Sequence, residues 1–377
     1  MNFFNNLEEL PPDPLFGIQR AYEEDKRPTK VNLSIGTYKT DELKPYILPS
    51  VKRAEEALFQ QEMSKDYLPI LGLHSFIQGT KELIFGKNPS DIFGAQTVGG
   101  TSALCIAANL LYKAGHHKIY ISDPTWGNHP HIFKEAGMEV ERYHYFDKIK
   151  PFESMEEGSV LLLQPCCHNP TGCDYSKEEW VELFEIIKTR KLLPIFDIAY
   201  QGFGDGVEAD AQVVRNFADL GLSFMVAASY SKNFGLYRER VGAFFMKHHD
   251  VKRLTTQLSM AIRGIYSNPP AHGAEIVAHI LMTAELKKQW LFELEEMRKR
   301  ILSMRGLLVR ELKGFEFMLE QKGMFSYTKL KREQVLSLRD EFGIYMTLDG
   351  RINVAGLNPK NIGYVSKAIL SLRRHDE

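Results

Sequence analysis

Four short runs of aliphatic and branched residues, Lys118 to Ser122, Val160 to Gln164, Leu192 to Asp197 and Phe224 to Ser229, recur through the middle of the chain with amphipathic stretches of helix length between them. Each run is of strand length, is rich in residues that favour strands, and is followed by loop chemistry. Parallel neighbours need long crossover connections, so this alternation predicts a mainly parallel, doubly wound α/β sheet. In such sheets ligands bind beyond the carboxyl ends of the strands. The polar residues just after these runs are therefore the ones to weigh.

The flanking sequence adds a second lobe. Leu68 to Gly72 reads as an irregular connector and is followed by a helix from about Leu73 to Phe85. From Ala284 to Lys313 the chain is rich in Glu, Lys and Arg, with Leu286, Leu291, Leu294, Met297, Ile301 and Met304 spaced for one apolar face, which predicts a long bridging helix. Short strands around Met324–Thr328, Ile344–Thr347 and Arg351–Val354 and a closing helix to Arg373 suggest a smaller α+β lobe. The expected division is an N-terminal arm and part of the small domain over 1–44, a large domain over 45–290, and a small C-terminal domain over 291–377.

With 377 residues the chain exceeds one small core, in keeping with two lobes. Its 47 basic and 48 acidic residues give a net charge of −1, so nothing electrostatic favours nucleic acid or an anionic membrane as partner. Met1 to Pro14 is acidic and proline-bearing, without the basic start and apolar stretch of a signal peptide, and the sequence reads as cytosolic. Cys105, Cys166, Cys167 and Cys173 match neither a zinc spacing nor a secreted disulfide framework; reduced, mostly buried thiols and no metal site are expected.

Lys232 carries the sharpest chemical signal. It lies in Ser229-Tyr230-Ser231-Lys232-Asn233-Phe234-Gly235, just past a buried strand and eight residues before Arg240. An amine desolvated near other cations loses proton affinity and becomes nucleophilic toward an aldehyde, while hydroxyls and a guanidinium nearby suit a phosphate. Gly99-Gly100-Thr101-Ser102 opens a helix expected over Ala103 to Lys113 and offers amides and hydroxyls to an anion; a Gly-rich capped turn reads equally well. Gly202-Phe203-Gly204-Asp205-Gly206 lacks dinucleotide-binding spacing and is expected to be a loop with no helix opening after it. Asp197 ends a buried strand, with Tyr200 three residues on; a loop cap and a partner for a protonated ring nitrogen are both open to it.

The joint set Asn169-Pro170-Thr171-Gly172, Asp197-Ile198-Ala199-Tyr200, Ser229 to Gly235, Arg240, Ser267-Asn268-Pro269-Pro270 and Gly350-Arg351-Ile352-Asn353 closely resembles the aspartate and aromatic amino acid aminotransferases. These are class I aminotransferases of fold type I, dependent on pyridoxal 5'-phosphate. The resemblance runs in order from near Val31 to near Leu357. It implies a large cofactor-binding domain with a mainly parallel seven-stranded sheet flanked by helices, and a smaller α+β domain.

Carried over position by position, the resemblance implies that Lys232 holds the cofactor as an internal aldimine and then shuttles the substrate's α-proton. Asp197 would pair with the pyridinium nitrogen, supported from behind by His129, and Tyr200 and Asn169 would bond the 3'-oxygen. Ser229, Arg240, Gly100, Thr101 and Tyr67 from a partner subunit would hold the phosphate, and Trp126 would stack on the ring or, alternatively, pack a core. Arg351 would take the substrate's α-carboxylate and Arg263 the distal carboxylate across a homodimer interface, with Gly36 letting its backbone approach; surface salt bridges are the alternative for both arginines. Two separated guanidiniums imply dicarboxylates, aspartate or glutamate and their 2-oxo acids. The implied reaction moves the amino group of aspartate, or of an aromatic amino acid, to 2-oxoglutarate. Gly99 stands where many members have serine, Gln164 where a histidine is common, and Arg238 where a small or amide residue is common.

Overall fold

The computed structural model describes residues 4–5, 7–9, 13–61, 64–248 and 250–373. The first residues of the expected 1–44 arm and the last four of the 291–377 segment lie outside the described residues. All four expected central strands are present, as Lys118–Asp123, Val160–Leu163, Leu193–Ile198 and Phe224–Ser229. They join three more, Ile92–Val98, Glu139–His144 and Val241–Lys247, in one seven-stranded sheet.

From one edge the order is Ile92–Val98, Val241–Lys247, Phe224–Ser229, Leu193–Ile198, Val160–Leu163, Lys118–Asp123 and Glu139–His144. Only Val241–Lys247 runs against its neighbours; the other pairings are parallel. Val160–Leu163 and Phe224–Ser229 are buried along their whole length because both faces are covered. Alternate residues accordingly enter different cores: Leu161, Phe196, Val226 and Phe245 pack on one face, and Val160, Ile195, Ala227 and Phe244 on the other.

Two sequence expectations change. The helix expected from Ala103 begins at Gly99 and runs to Lys113, so Gly99, Gly100 and Thr101 form its first turn. The loop Gly202 to Gly206 does open a helix, Val207–Asp219. Its organiser is Asp210, inside the helix, whose carboxylate accepts the N–H groups of Gly202, Gly204 and Asp205 at 2.8–2.9 Å. No Ser or Thr cap precedes the helix, so the usual start signal is absent.

The bridging helix spans Ala284–Glu311. Near its start Trp290 stacks on Phe234 with centroids 4.4 Å apart and donates its indole N–H to the Asn233 carbonyl at 2.8 Å. Glu293 accepts the Ser50 N–H and hydroxyl. Near its other end the buried Arg305 donates to Ser326 and to the carbonyls of Gly323 and Phe325. Beyond it, Phe325–Tyr327 pairs antiparallel with Arg351–Asn353. Ile344–Tyr345 pairs in parallel with Val31–Asn32 from the N-terminal segment, and Ile362–Arg373 closes the chain. Among the described residues no helix is long and apolar enough to cross a membrane.

Candidate active site

The carboxyl ends of the strands meet at a recess of about 160 Å³ lined by Gly100, Thr101, Trp126, Gln164, Asn169, Asp197, Tyr200, Ser229, Lys232 and Arg240, with Ser231 and Tyr237. Lys232 follows Phe224–Ser229 and Asp197 lies at the end of Leu193–Ile198, so their side chains converge because neighbouring parallel strands stop together. The Lys232 Nζ stands 4.9 Å from the centre of the Tyr200 ring. Burial pushes its pKa down to about 8; the Asp197 carboxylate opposes that shift and Arg240 adds to it. An amine so poised is largely cationic at neutral pH yet gives up its proton readily.

Behind Asp197, the fully buried His129 approaches its Oδ2 through Nε2 at 3.1 Å, and the other ring nitrogen meets the Thr125 hydroxyl at 2.7 Å. Trp126 stands edge-on to His129 with centroids 5.2 Å apart. Burial raises the pKa of the Tyr200 phenol, against the pull of Arg351.

Hydroxyl, guanidinium and amide donors line the same recess. The hydroxyl of Ser229 donates to Ser231, and Arg240 Nη1 donates to Ser231 Oγ at 3.1 Å and to the Tyr237 carbonyl at 3.0 Å. The free amides of the helix Gly99–Lys113 start here. Gly99 has φ +71°, and a Cβ on it would sit 2.4 Å from Arg240 Nη2, so glycine is what allows the guanidinium to lie across this turn. Arg238 is exposed.

A larger cavity of about 910 Å³ shares Trp126 and Asn169 with the recess and is lined also by Leu15, Ile18, Ile35, Gly36, Met346, Leu348 and Arg351. Arg351 is 5% exposed. It donates through Nη1 to Asn169 Oδ1 at 3.1 Å and through Nη2 to the Ser34 carbonyl at 2.8 Å, and its Nε has no protein partner. Burial lowers its proton affinity, with Asp349 opposing; a buried guanidinium with a spare donor is made for a carboxylate. At Gly36 a Cβ would stand 2.7 Å from the Phe325 ring, so this glycine also lets the N-terminal segment close on the C-terminal strand pair.

Two expected residues lie outside both cavities. Tyr67 is 92% exposed. Arg263, on the helix Val251–Ile265, is exposed and donates to the Ser267 hydroxyl and, at 3.5 Å, to Asn268 Oδ1.

Sequence reasoning missed several supporting groups. Asp174 is half-buried and accepts the N–H groups of Cys167 and His168, both at 2.9 Å; desolvation raises its pKa to about 6 against those amides and Lys322, with Asp210 adding to the rise. His168 lies between Ser122 and Thr171 and is stacked on Tyr145 at 3.7 Å; burial first, then His129, keep it neutral. The Ser34 partner of Arg351 is a carbonyl, which no side-chain pattern announces. All four cysteines are free, Cys166 and Cys167 being buried.

The family described as aminotransferase class I and II matches residues 28–369. Aspartate aminotransferase of Escherichia coli (strain K12) is 43% identical over 394 aligned positions, covering 98% of this chain and all of that protein. Among solved structures, aromatic-amino-acid aminotransferase from Burkholderia pseudomallei, covalently bound to pyridoxal phosphate, superposes with a TM-score of 0.95 at 41% identity, covering 99% of this chain and 100% of that one. Cytoplasmic aspartate aminotransferase of Saccharomyces cerevisiae gives a TM-score of 0.95 at 37% identity, with 99% of each chain covered.

Proposed function

The chain belongs to the aminotransferase class I and II family, and from that premise we propose that it moves the amino group of aspartate to 2-oxoglutarate, giving oxaloacetate and glutamate in two half-reactions. The observation that carries the reading is an amine with its pKa near 8 enclosed with a carboxylate, beside a buried guanidinium whose Nε is free. Pyridoxal 5'-phosphate fits this donor set: one recess is lined by the hydroxyl and guanidinium donors of Ser229, Ser231 and Arg240, by the Asp197 carboxylate and by the Lys232 amine.

When bound, the cofactor's ring supplies the electron sink that makes the substrate's α-hydrogen removable. Lys232 would hold the cofactor through Nζ and carry the α-proton on and off the substrate. Asp197, oriented by His129, would keep the ring nitrogen protonated. Asn169 and Tyr200 would bond the 3'-oxygen; Ser229, Arg240, Gly100, Thr101 and the partner subunit's Tyr67 would hold the phosphate; Trp126 would cover the ring. Arg351 orients the α-carboxylate beside Gly36, and the partner subunit's Arg263 takes the distal carboxylate. A homodimer on this reading is supported by the exposed Tyr67, Met260 and Ile265 on the same chain as the outward-facing Arg263. The free thiols suit work in the cytoplasm.

A second reading, transfer from tyrosine or phenylalanine, is favoured by the apolar wall of Leu15, Ile18, Ile35, Met346 and Leu348 in the larger cavity. The deciding assay uses 2-oxoglutarate as acceptor and compares kcat/KM for aspartate, phenylalanine and tyrosine on the native protein and on Arg263→Leu. The aspartate reading expects aspartate to dominate and the substitution to cost it on the order of a hundredfold, as loss of a charge-assisted pair should. Aromatic donors that equal aspartate and survive the substitution establish the second reading instead. Lys232→Ala is expected to fold and to lose turnover; normal turnover by that variant refutes both.

A further inference from the structure

Gln164 follows the strand Val160–Leu163 and borders the recess that holds Lys232. Its carboxamide is paired twice with one residue: Oε1 accepts the Asn169 N–H at 2.9 Å, and Nε2 donates to the Asn169 carbonyl at 3.1 Å. Between the two residues the chain makes a tight reversal in which Cys167 has φ +52°, a strained value for a residue with a side chain. Pro170 follows, so neither helix nor ladder satisfies the Asn169 main chain on either side. Gln164 substitutes for that ladder.

Asn169 is 5% exposed, and its side chain spans the two halves of the site. Its Oδ1 accepts from Arg351 and its Nδ2 donates to the Tyr200 hydroxyl at 3.5 Å. Whatever fixes the Asn169 backbone thus sets both the carboxylate anchor and the hydrogen bond at the phenol.

We propose that Gln164 is a positioning residue for amino transfer, its carboxamide clamping the Asn169 main chain so that one asparagine aligns Tyr200 and Arg351 together. The inference rests on the aminotransferase reading and concerns a residue that touches Asn169 rather than the reacting atoms. Asp174 anchors only the preceding amides of Cys167 and His168, so it cannot replace the clamp.

The test compares the native protein with Gln164→Leu, which removes both bonds, and Gln164→Glu, which keeps the acceptor and loses the donor. In the apoprotein, amide hydrogen exchange at Asn169 is expected to quicken at least about tenfold in the leucine variant and less in the glutamate one. In the cofactor-loaded protein the leucine variant is expected to shift the pH midpoint of the visible absorbance band and to lower kcat/KM on the order of tenfold, mostly through a higher KM for the dicarboxylate. A leucine variant that melts earlier but keeps native exchange at Asn169, midpoint and KM has lost stability alone and overturns the proposal. If the leucine variant does not fold, a native midpoint and KM in the glutamate variant, which has lost the bond to the Asn169 carbonyl, overturn it equally. A native protein without transaminase activity sinks the functional reading, whereas the exchange experiment on apoprotein still decides the clamp.

Discussion

Lys232 owes its reactivity to position. The motif around it made it legible in the sequence, but the size of its shift depends first on burial, then on the opposing Asp197 carboxylate and the Arg240 guanidinium. The shift makes a stability prediction. Its pKa is about 8 in the fold and near 10.5 in an unfolded chain, so between those values the unfolded chain binds more protons and stability rises with pH. The penalty, fully present below pH 8, amounts to at most about 3 kcal/mol. Denaturant melts of the apoprotein across that window should show the native stability climbing toward that of Lys232→Met; parallel curves at constant separation would contradict the shift. Arg351 was equally legible as a residue, while its contact with a carbonyl at Ser34 was not, because backbone partners leave no trace in residue type.

Continuous apolar runs disclosed four of the five inner strands, all but Val241–Lys247, and the same physics hid the edge at Glu139–His144. Glu139–His144 has a neighbour on one side only and exposes Glu139, Arg142 and His144, so its composition resembles a loop. The helix Val207–Asp219 was hidden differently, since its start is fixed from within by Asp210. Asp210→Ala strips the partner from three amides and is expected to destabilise the protein by about 2–4 kcal/mol. Because the segment it fixes begins two residues after Tyr200, the variant should also bind the cofactor more weakly in an absorbance titration. Unchanged melting would show that these amides find other partners.

For the whole molecule, four strands of the central sheet and the bridging helix could be read from residue patterning, but the role of the N-terminal segment could not. Val31–Asn32 is a two-residue strand whose pairing with Ile344–Tyr345 joins the two ends of the chain. Assembly beyond one chain makes its own prediction. If Arg263 serves a neighbour's site, Lys232→Ala and Arg263→Leu subunits are each defective alone, and a mixture refolded together should recover about a quarter of native aspartate activity, since half the dimers are hybrid and each has one intact site. No recovery would place Arg263 in its own subunit's site or outside the chemistry. The Arg351 guanidinium, finally, reaches back to Asn169 and Ser34. On the ribosome, the lysine, the carboxylate and the anion-binding arginine are all synthesised before it. The groups that line the recess therefore exist in a growing chain before the guanidinium proposed to hold an acid, and a nascent chain that has yet to reach Arg351 has nothing to clasp one with there.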